Sequence, residues 1–283
     1  MKRRPSFLLK VLLAALLVFA PTSLFAVTVT EIVIPVAGVD SFAANAINDR
    51  GQVVGFYAAG GMRHCFLWEN GVFQTIDEVP ATRGTTCYGI NDRDQIVGSY
   101  SDSVGIFHDF LLDDGILIEI NLPGLPLPIG GINDRGQIVG SYQAAGTNQC
   151  FLSENGVLQS IDGIDPTNSL CHAINNRGQI AGQFGNEGNT GFVLSRGVLI
   201  PISLVLFTEA ATGINDRGQV VGTFFDNSVT RGFIFDKGIS SRIDLPVPDP
   251  LFENVAINNS GDFVVTFRSF GVTQSRMILV SPR

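Results

Sequence analysis

One ten-residue phrase occurs six times in this chain: AINDRGQVVG from Ala46, GINDRDQIVG from Gly89, GINDRGQIVG from Gly131, AINNRGQIAG from Ala173, GINDRGQVVG from Gly213 and AINNSGDFVV from Ala256. The Asn that anchors each copy stands at 48, 91, 133, 175, 215 and 258, so the intervals are 43, 42, 42, 40 and 43 residues. A period near 42 means stacked supersecondary units, because a single unit of that size cannot bury its own apolar face.

Within each copy the apolar residues fall in four bursts separated by turn chemistry. In the second copy these are YGI, QIVGSY, DFLL and ILIEI. Four short strands per unit predict a propeller blade. The first hairpin turn reads Asn-Asp-Arg-Gly in three copies, placing Gly51, Gly136 and Gly218 where a type I turn followed by a bulge requires positive φ. Asp94 takes that place in the second copy, and Asp is among the few other residues that tolerate it. A second turn follows the third strand at Glu69-Asn70-Gly71, Asp113-Asp114-Gly115, Glu154-Asn155-Gly156, Ser195-Arg196-Gly197 and Asp236-Lys237-Gly238. The second strand is apolar on both faces, as expected of a strand sandwiched between neighbouring sheets. The fourth mixes polar residues into its pattern and suits an outer edge.

The chain ends complete the pattern. The sixth copy supplies three strands, the last being RMILVSPR, and stops where a fourth would begin; VTVTEIVIPVAG from Val27 reads as that missing strand and a crossover. The expected fold is therefore all-β: a six-bladed β-propeller of four-stranded antiparallel blades, closed by an N-terminal strand that completes the C-terminal blade and covers its edge. An open solenoid of six units is the alternative.

Residues 1–26 stand apart. Lys2, Arg3, Arg4 and Lys10 precede an apolar run from Val11 to Ala20, and Ala26 is a suitable cleavage position, so the segment reads as a secretory signal peptide ahead of a single six-repeat domain over 27–283. The run is short for a bilayer span, and nothing later resembles one. Removing four basic and no acidic residues leaves 14 Lys and Arg against 26 Asp and Glu, a net charge of −12. Such a surface repels phosphate backbones and anionic membranes, so neither nucleic acid nor a membrane is an expected partner.

The four cysteines share the repeat register. Cys65 and Cys150 open third strands (CFLW, CFLS), while Cys87 and Cys171 precede the repeat Ile by three residues (CYGI, CHAI). First and third strands of a blade run the same way, which brings the two kinds of position to one face. Of three connectivities, this register predicts Cys65–Cys87 and Cys150–Cys171, each tying a third strand to the opening of the next blade. Such bridges belong to an oxidising, extracellular or periplasmic compartment.

The GINDRGQIVG phrase, followed by an H-x-F-L-W phrase and an x-x-G turn, resembles the bacterial extracellular HAF repeat family, named for its His-Ala-Phe triplet. The triplet appears as His64-Cys65-Phe66 and His108-Asp109-Phe110, then becomes Gln149-Cys150-Phe151, Thr190-Gly191-Phe192 and Arg231-Gly232-Phe233. The resemblance spans residues 30–280 and implies a secreted or cell-surface bacterial protein. It carries no catalytic residue to this chain.

The Asn-Asp turns and x-x-G turns share one face, and their monotony implies a structural role, with side chains bonding their own turn. The opposite face holds loops that differ among copies, near 58–63, 101–107, 143–148, 185–190 and 225–230, together with the crossovers. Variable loops on a rigid scaffold are where binding usually resides. Candidate ligand-binding residues there are His64, His108, His172, Asp102, Glu187 and Asp226. Shared ring phase separates His64 from His108 by a blade, which disfavours a common metal site. Calcium-loop spacing, a serine nucleophile elbow and a phosphate-binding loop are all missing from the sequence. The sequence thus indicates a non-enzymatic, monomeric secreted scaffold that binds an extracellular protein or glycan and needs no cofactor or metal. The alternatives are a polysaccharide-acting enzyme, with carboxylates or imidazoles converging at the channel mouth, and a self-associating structural envelope component.

Overall fold

The computed structural model describes residues 27–76, 83–161, 164, 168–185, 190–202, 208–226, 229–245, 247, 249–269 and 275–282. The signal-peptide reading of 1–26 and the candidate Glu187 lie outside these residues. Every regular element among the described residues is a strand, so the protein is all-β, with strands in successive antiparallel groups of four. The first group is Val39–Ile47, Val53–Ala59, Met62–Glu69 and Val72–Ile76. Four sheets have four strands; the fifth has eight, because the first two groups are joined by a single parallel pair, Arg63 with Gly84. In the last sheet Val27–Ile32 pairs antiparallel with Arg276–Pro282 over six residues, with Glu31 opposite Ile278.

Both hairpin turns follow from local chemistry. In the first, the Gly51 amide donates to the Asn48 carbonyl and the Asn48 amide to the Gln52 carbonyl, with φ of 77° at Gly51 and 63° at Asp94. This is a type I turn with a bulge. In the second, both central residues have positive φ, as at Asn70 (50°) and Gly71 (86°), which is the type I′ geometry that matches strand twist.

The triplet Phe is the knob of each unit. Phe66, Phe110, Phe151, Phe192 and Phe233 are all fully buried. Each of the last four lies over the repeat glycine on the adjacent second strand: a Cβ built at Gly98 would stand 2.6 Å from Phe110 Cζ, and one at Gly140 would stand 2.8 Å from Phe151 Cε1. The sixth unit changes both partners together, pairing Val265 with Ile278. The triplet His packs on the second-strand Tyr instead, with ring centroids 5.0 Å apart for His64 and Tyr57 and 4.9 Å for His108 and Tyr100. Trp68 is buried beside Val53 and Phe66 in the core, as its strand position implies.

The third unit departs from the expected pattern. Its inner strand reduces to Leu125–Pro126, followed by an isolated bridge between Ile132 and Ile138. Backbone bonds to the second strand continue at Leu127, Gly130 and Gly131, and at Gly130-Gly131 the chain runs close to the next unit. A Cβ at Gly130 would lie 2.5 Å from the Cys171 carbonyl oxygen.

Candidate functional site

The repeat phrases build two concentric hydrogen-bond circles around the axis. Five of the six anchoring Asn side chains use Oδ1 to accept two amides of their own turn, as Asn133 does from Arg135 (3.1 Å) and Gln137 (3.0 Å), while Asn258 accepts one, from Asp262 (2.9 Å). Its Nδ2 donates to the backbone carbonyl of the next unit's Asn, in the order 48 to 91, 91 to 133, 133 to 175, 175 to 215, 215 to 258 and 258 back to 48, at 2.8–3.1 Å. One residue on, the backbone amide of Asp49 donates to Asp92 Oδ1, and the same bond runs through Asp134, Asn176, Asp216 and Asn259 back to Asp49. The repeat Arg reaches the next turn from outside. Arg50 pairs with Asp94, while the Arg93, Arg135 and Arg217 guanidiniums lie over Gly136, Gly178 and Gly261. Turn-local bonds are what the sequence implies; the donation between units is an addition, and the fixed Asn at every copy was its only trace.

The circles surround an axial cavity of about 100 Å³ lined by the inner strands. The register of those strands skips one residue at Asn45, Tyr88, His172 and Thr212, and these bulge residues line the cavity. Some tie neighbouring units together, with Asn45 Nδ2 bonded to the Cys87 carbonyl and Thr212 Oγ1 to that of Val255. Burial raises the Tyr88 pKa above the usual phenol value. His172 therefore belongs to the axis, not to the loop face where the sequence places it. Although the residue is half-buried, its Nε2 is shut off from solvent and has no partner. Burial lowers the pKa of the imidazole to about 4, against a side-chain hydrogen bond to Gln183.

Of the other candidates, the loop face brings Asp102 and His108 together and leaves His64 and Asp226 elsewhere. Asp102 caps its own loop, accepting the amides of Val104 (2.9 Å) and Ile106 (2.8 Å), and contacts His108 Nε2 at 3.4 Å. The Ile106 amide is the main cause holding its carboxyl below the usual range. His108 Nδ1 lies 3.8 Å from Glu119, which accepts from the Tyr100 hydroxyl at 2.5 Å. Desolvation, with Glu119 next, pushes Tyr100 up to about 12. His64, one unit before His108, stacks on Tyr57 of its own unit, and Asp226 is half-buried at the end of Val220–Asp226. Among the described residues no group of three or more His, Cys, Asp or Glu side chains is placed to hold a metal ion. The same loop region exposes apolar side chains at Val104 (74%), Ile106 (55%), Phe107 (61%) and, across the crossover, Leu125 (68%).

Both disulfides have the expected connectivity, Cys65–Cys87 and Cys150–Cys171, with Cα–Cα distances of 5.3 and 5.6 Å. They indicate an oxidising compartment. Asp109 occupies the corresponding third-strand position in the unit between them. It is buried and accepts from Ser99 Oγ at 2.5 Å, while its Oδ2 has no partner; desolvation raises its pKa to about 6. Alignment of the triplets could have singled it out, since it replaces a bridged cysteine with an acid.

No family model and no curated protein matches the chain. Among solved structures it is similar to the β-propeller domain of the Trilobed protease from Pyrococcus furiosus, at 13% identity and a TM-score of 0.57 over 85% of this chain and 81% of that one. It is also similar to TolB from Acinetobacter baumannii (14%, 0.57, 81% of this chain and 63% of that one) and to virginiamycin B lyase from Staphylococcus aureus (10%, 0.53, 91% and 100%). At these identities the likeness is one of fold, and the fold is that of β-propellers. Among the described residues no helix is long and apolar enough to cross a membrane.

Proposed function

We propose that this protein is a closed six-bladed propeller of the HAF repeat type, secreted to the periplasm or exterior, whose variable loop face binds a protein or glycan without catalysis. Two hydrogen-bond circles that return from the sixth unit to the first, and the pairing of Val27–Ile32 with Arg276–Pro282, support the closure. The observation that carries the binding reading is the exposed apolar group Val104, Ile106, Phe107 and Leu125 on the loop side of the second and third units. Contiguous exposed apolar side chains mark interaction sites. The ionisable residues nearby are taken up locally: Asp102 in its loop and with His108, and Glu119 with Tyr100. This favours a protein partner over a glycan.

The test immobilises the chain from residue 27 and passes over it secreted and surface fractions of its source, with a glycan array in parallel. Capture of a discrete protein that is lost in the Ile106→Asp/Phe107→Asp variant supports the reading. Turnover of a glycan without capture supports the enzyme alternative instead.

A second reading has its own observation. The outer strand Ile116–Ile120 exposes Ile116 and Ile118 at a sheet edge, where strand addition by another copy is possible. Sedimentation showing a dimer that Ile118→Lys dissociates would favour self-association.

A further inference from the structure

The hairpin loop between Ile96–Ser101 and Phe107–Asp113 repeats the geometry of the Asn turns on the opposite face. The Asp102 amide donates to the Ile106 carbonyl and the Gly105 amide to the Asp102 carbonyl, with φ of 92° at Gly105. Asp102 Oδ1 accepts the Val104 amide at 2.9 Å and the Ile106 amide at 2.8 Å, as Asn133 Oδ1 accepts those of Arg135 and Gln137. Such a turn needs one side-chain oxygen, and an asparagine supplies it on the other face. Here the anchor is an acid, and its second oxygen has a use of its own: Asp102 Oδ2 lies 3.4 Å from His108 Nε2.

His108 has a second carboxylate on its other side. Its Nδ1 lies 3.8 Å from Glu119, which accepts from the Tyr100 hydroxyl at 2.5 Å, and its ring stacks on Tyr100. The ionisable groups around it among the described residues are Asp102 from the loop, Tyr100 from the second strand, Glu119 from the fourth, and Asp109 next in sequence, whose carboxyl is buried against Ser99. The Arg83 guanidinium lies over Gly105 of the loop. Among the described residues neither Asp102 nor Glu119 has a Lys or Arg within ion-pair distance, so His108 is the group able to bring a positive charge between them. A neutral imidazole has one N–H, donates to one of its two neighbours and turns a lone pair towards the other; an imidazolium donates to both.

We propose that loop 102–107 is held by a proton-operated latch, in which the His108 imidazolium bridges Asp102 and Glu119 and fastens the loop to its blade, and loss of the proton loosens it. The loop carries Val104, Ile106 and Phe107, so the latch regulates the apolar patch; for that consequence alone it rests on the loop-face reading. Imidazole changes charge between about pH 5 and 8. The bridge is present at the acid end of that range and is lost towards the alkaline end. Asp102 stays ionised throughout, because the Ile106 amide, with His108 and the Val104 amide after it, holds its carboxyl below the usual range. The side chains of His108, Asp102 and Glu119 are 31%, 31% and 45% exposed, so solvent screening limits the effect to about fivefold in the ratio of closed to open loop.

Hydrogen exchange of the chain from residue 27, read by NMR at pH 5.5 and 8 and expressed as protection relative to unstructured amides, tests the latch without a partner. Protection at the Val104 and Ile106 amides should fall about fivefold between pH 5.5 and 8, while the Arg135 and Gln137 amides, which make the same bonds to Asn133, hold constant. His108→Gln should abolish the pH dependence. Gln149 already occupies that place in the third unit, accepting from the Tyr142 hydroxyl at 2.9 Å, so the variant should fold. Asp102→Asn keeps the Oδ1 acceptor and turns an N–H donor towards His108, which only the neutral ring can accept, so it should lose or reverse the dependence. Constant protection in the unmodified protein, an equal fall at Arg135 and Gln137, or an unchanged pH dependence in either variant overturns the latch. Partner capture enters none of these outcomes, so the latch can fail while the loop-face reading stands.

Discussion

Asn133 holds its own turn and bonds the next unit, and replacing it tests whether the six units unfold as one. The side chain is 3% exposed and makes four hydrogen bonds: it accepts the Arg135 and Gln137 amides, and donates to Gln137 Oε1 at 2.8 Å and to the Asn175 carbonyl at 3.0 Å. Alanine removes all four and strands two amides. At about 1 kcal/mol net for each bond, Asn133→Ala should cost about 4 kcal/mol. For a domain of this size that lowers Tm by about 8 °C, at about 2 °C per kcal/mol. Asn133→Asp retains the two accepted bonds but turns an oxygen towards the Asn175 carbonyl, so it should cost at least about 2 kcal/mol despite being isosteric. Trp68, the single Trp, is buried in the first unit and supplies the readout in urea unfolding. In a closed ring its transition shifts to lower urea with the one seen by circular dichroism, although Asn133 lies two units away. A Trp68 midpoint that stays put while circular dichroism moves, or a total loss below about 1 kcal/mol, would refute the cooperative circle.

Two further outcomes follow from buried groups. Each disulfide closes a loop with a sequence separation of 22 or 21 residues, so Cys65→Ser/Cys87→Ser should cost about 3 kcal/mol on the loop-entropy account. A non-reducing peptide map that joined Cys65 to Cys150 would contradict the register. Asp109 and His172 act on pH stability in opposite senses. The Asp109 pKa rises to about 6 from the unfolded value, so the stability it contributes is present at low pH and is lost as pH rises from about 4 to 6. The His172 pKa falls to about 4, so the folded state gains stability over roughly pH 4 to 6.5. Each amounts to about 3 kcal/mol, and they nearly cancel. Asp109→Asn should unmask a stability that climbs with pH across that window, measured by urea unfolding at pH 4, 5, 6 and 7; a profile parallel to the unmodified protein's would rule out the elevated Asp109 pKa.

Much of the architecture was legible because it is written in local chemistry repeated six times. Gly51 and Asp94 take positive φ where the turn demands it, the Asn-Gly and Asp-Gly pairs make type I′ turns, and Cys65 and Cys150 find their partners because equal repeat phase means equal height in the sheet. The site was less legible. His64 and His108 stand out in the sequence as titratable residues, yet each is packed face to face on a tyrosine of its own unit. His172 occupies a place in the phrase filled elsewhere by Asn45, Tyr88 and Thr212, and only the skipped register turns that place towards the axis. In the sequence Asp109 is one variant of a decaying triplet, because its significance lies in a buried contact with Ser99 from the neighbouring strand.

The sequence by itself determined the unit: its period, its strands, its turns and the phase of its cysteines, all of which depend on residues within a few positions of each other. Tertiary structure decided what lies between units. Whether Asn258 reaches Asn48, whether four aspartates crowd one rim and whether His172 Nε2 is left bare depend on distances across the axis, and groups some 210 residues apart in the chain become neighbours only when the sheets are arranged around it.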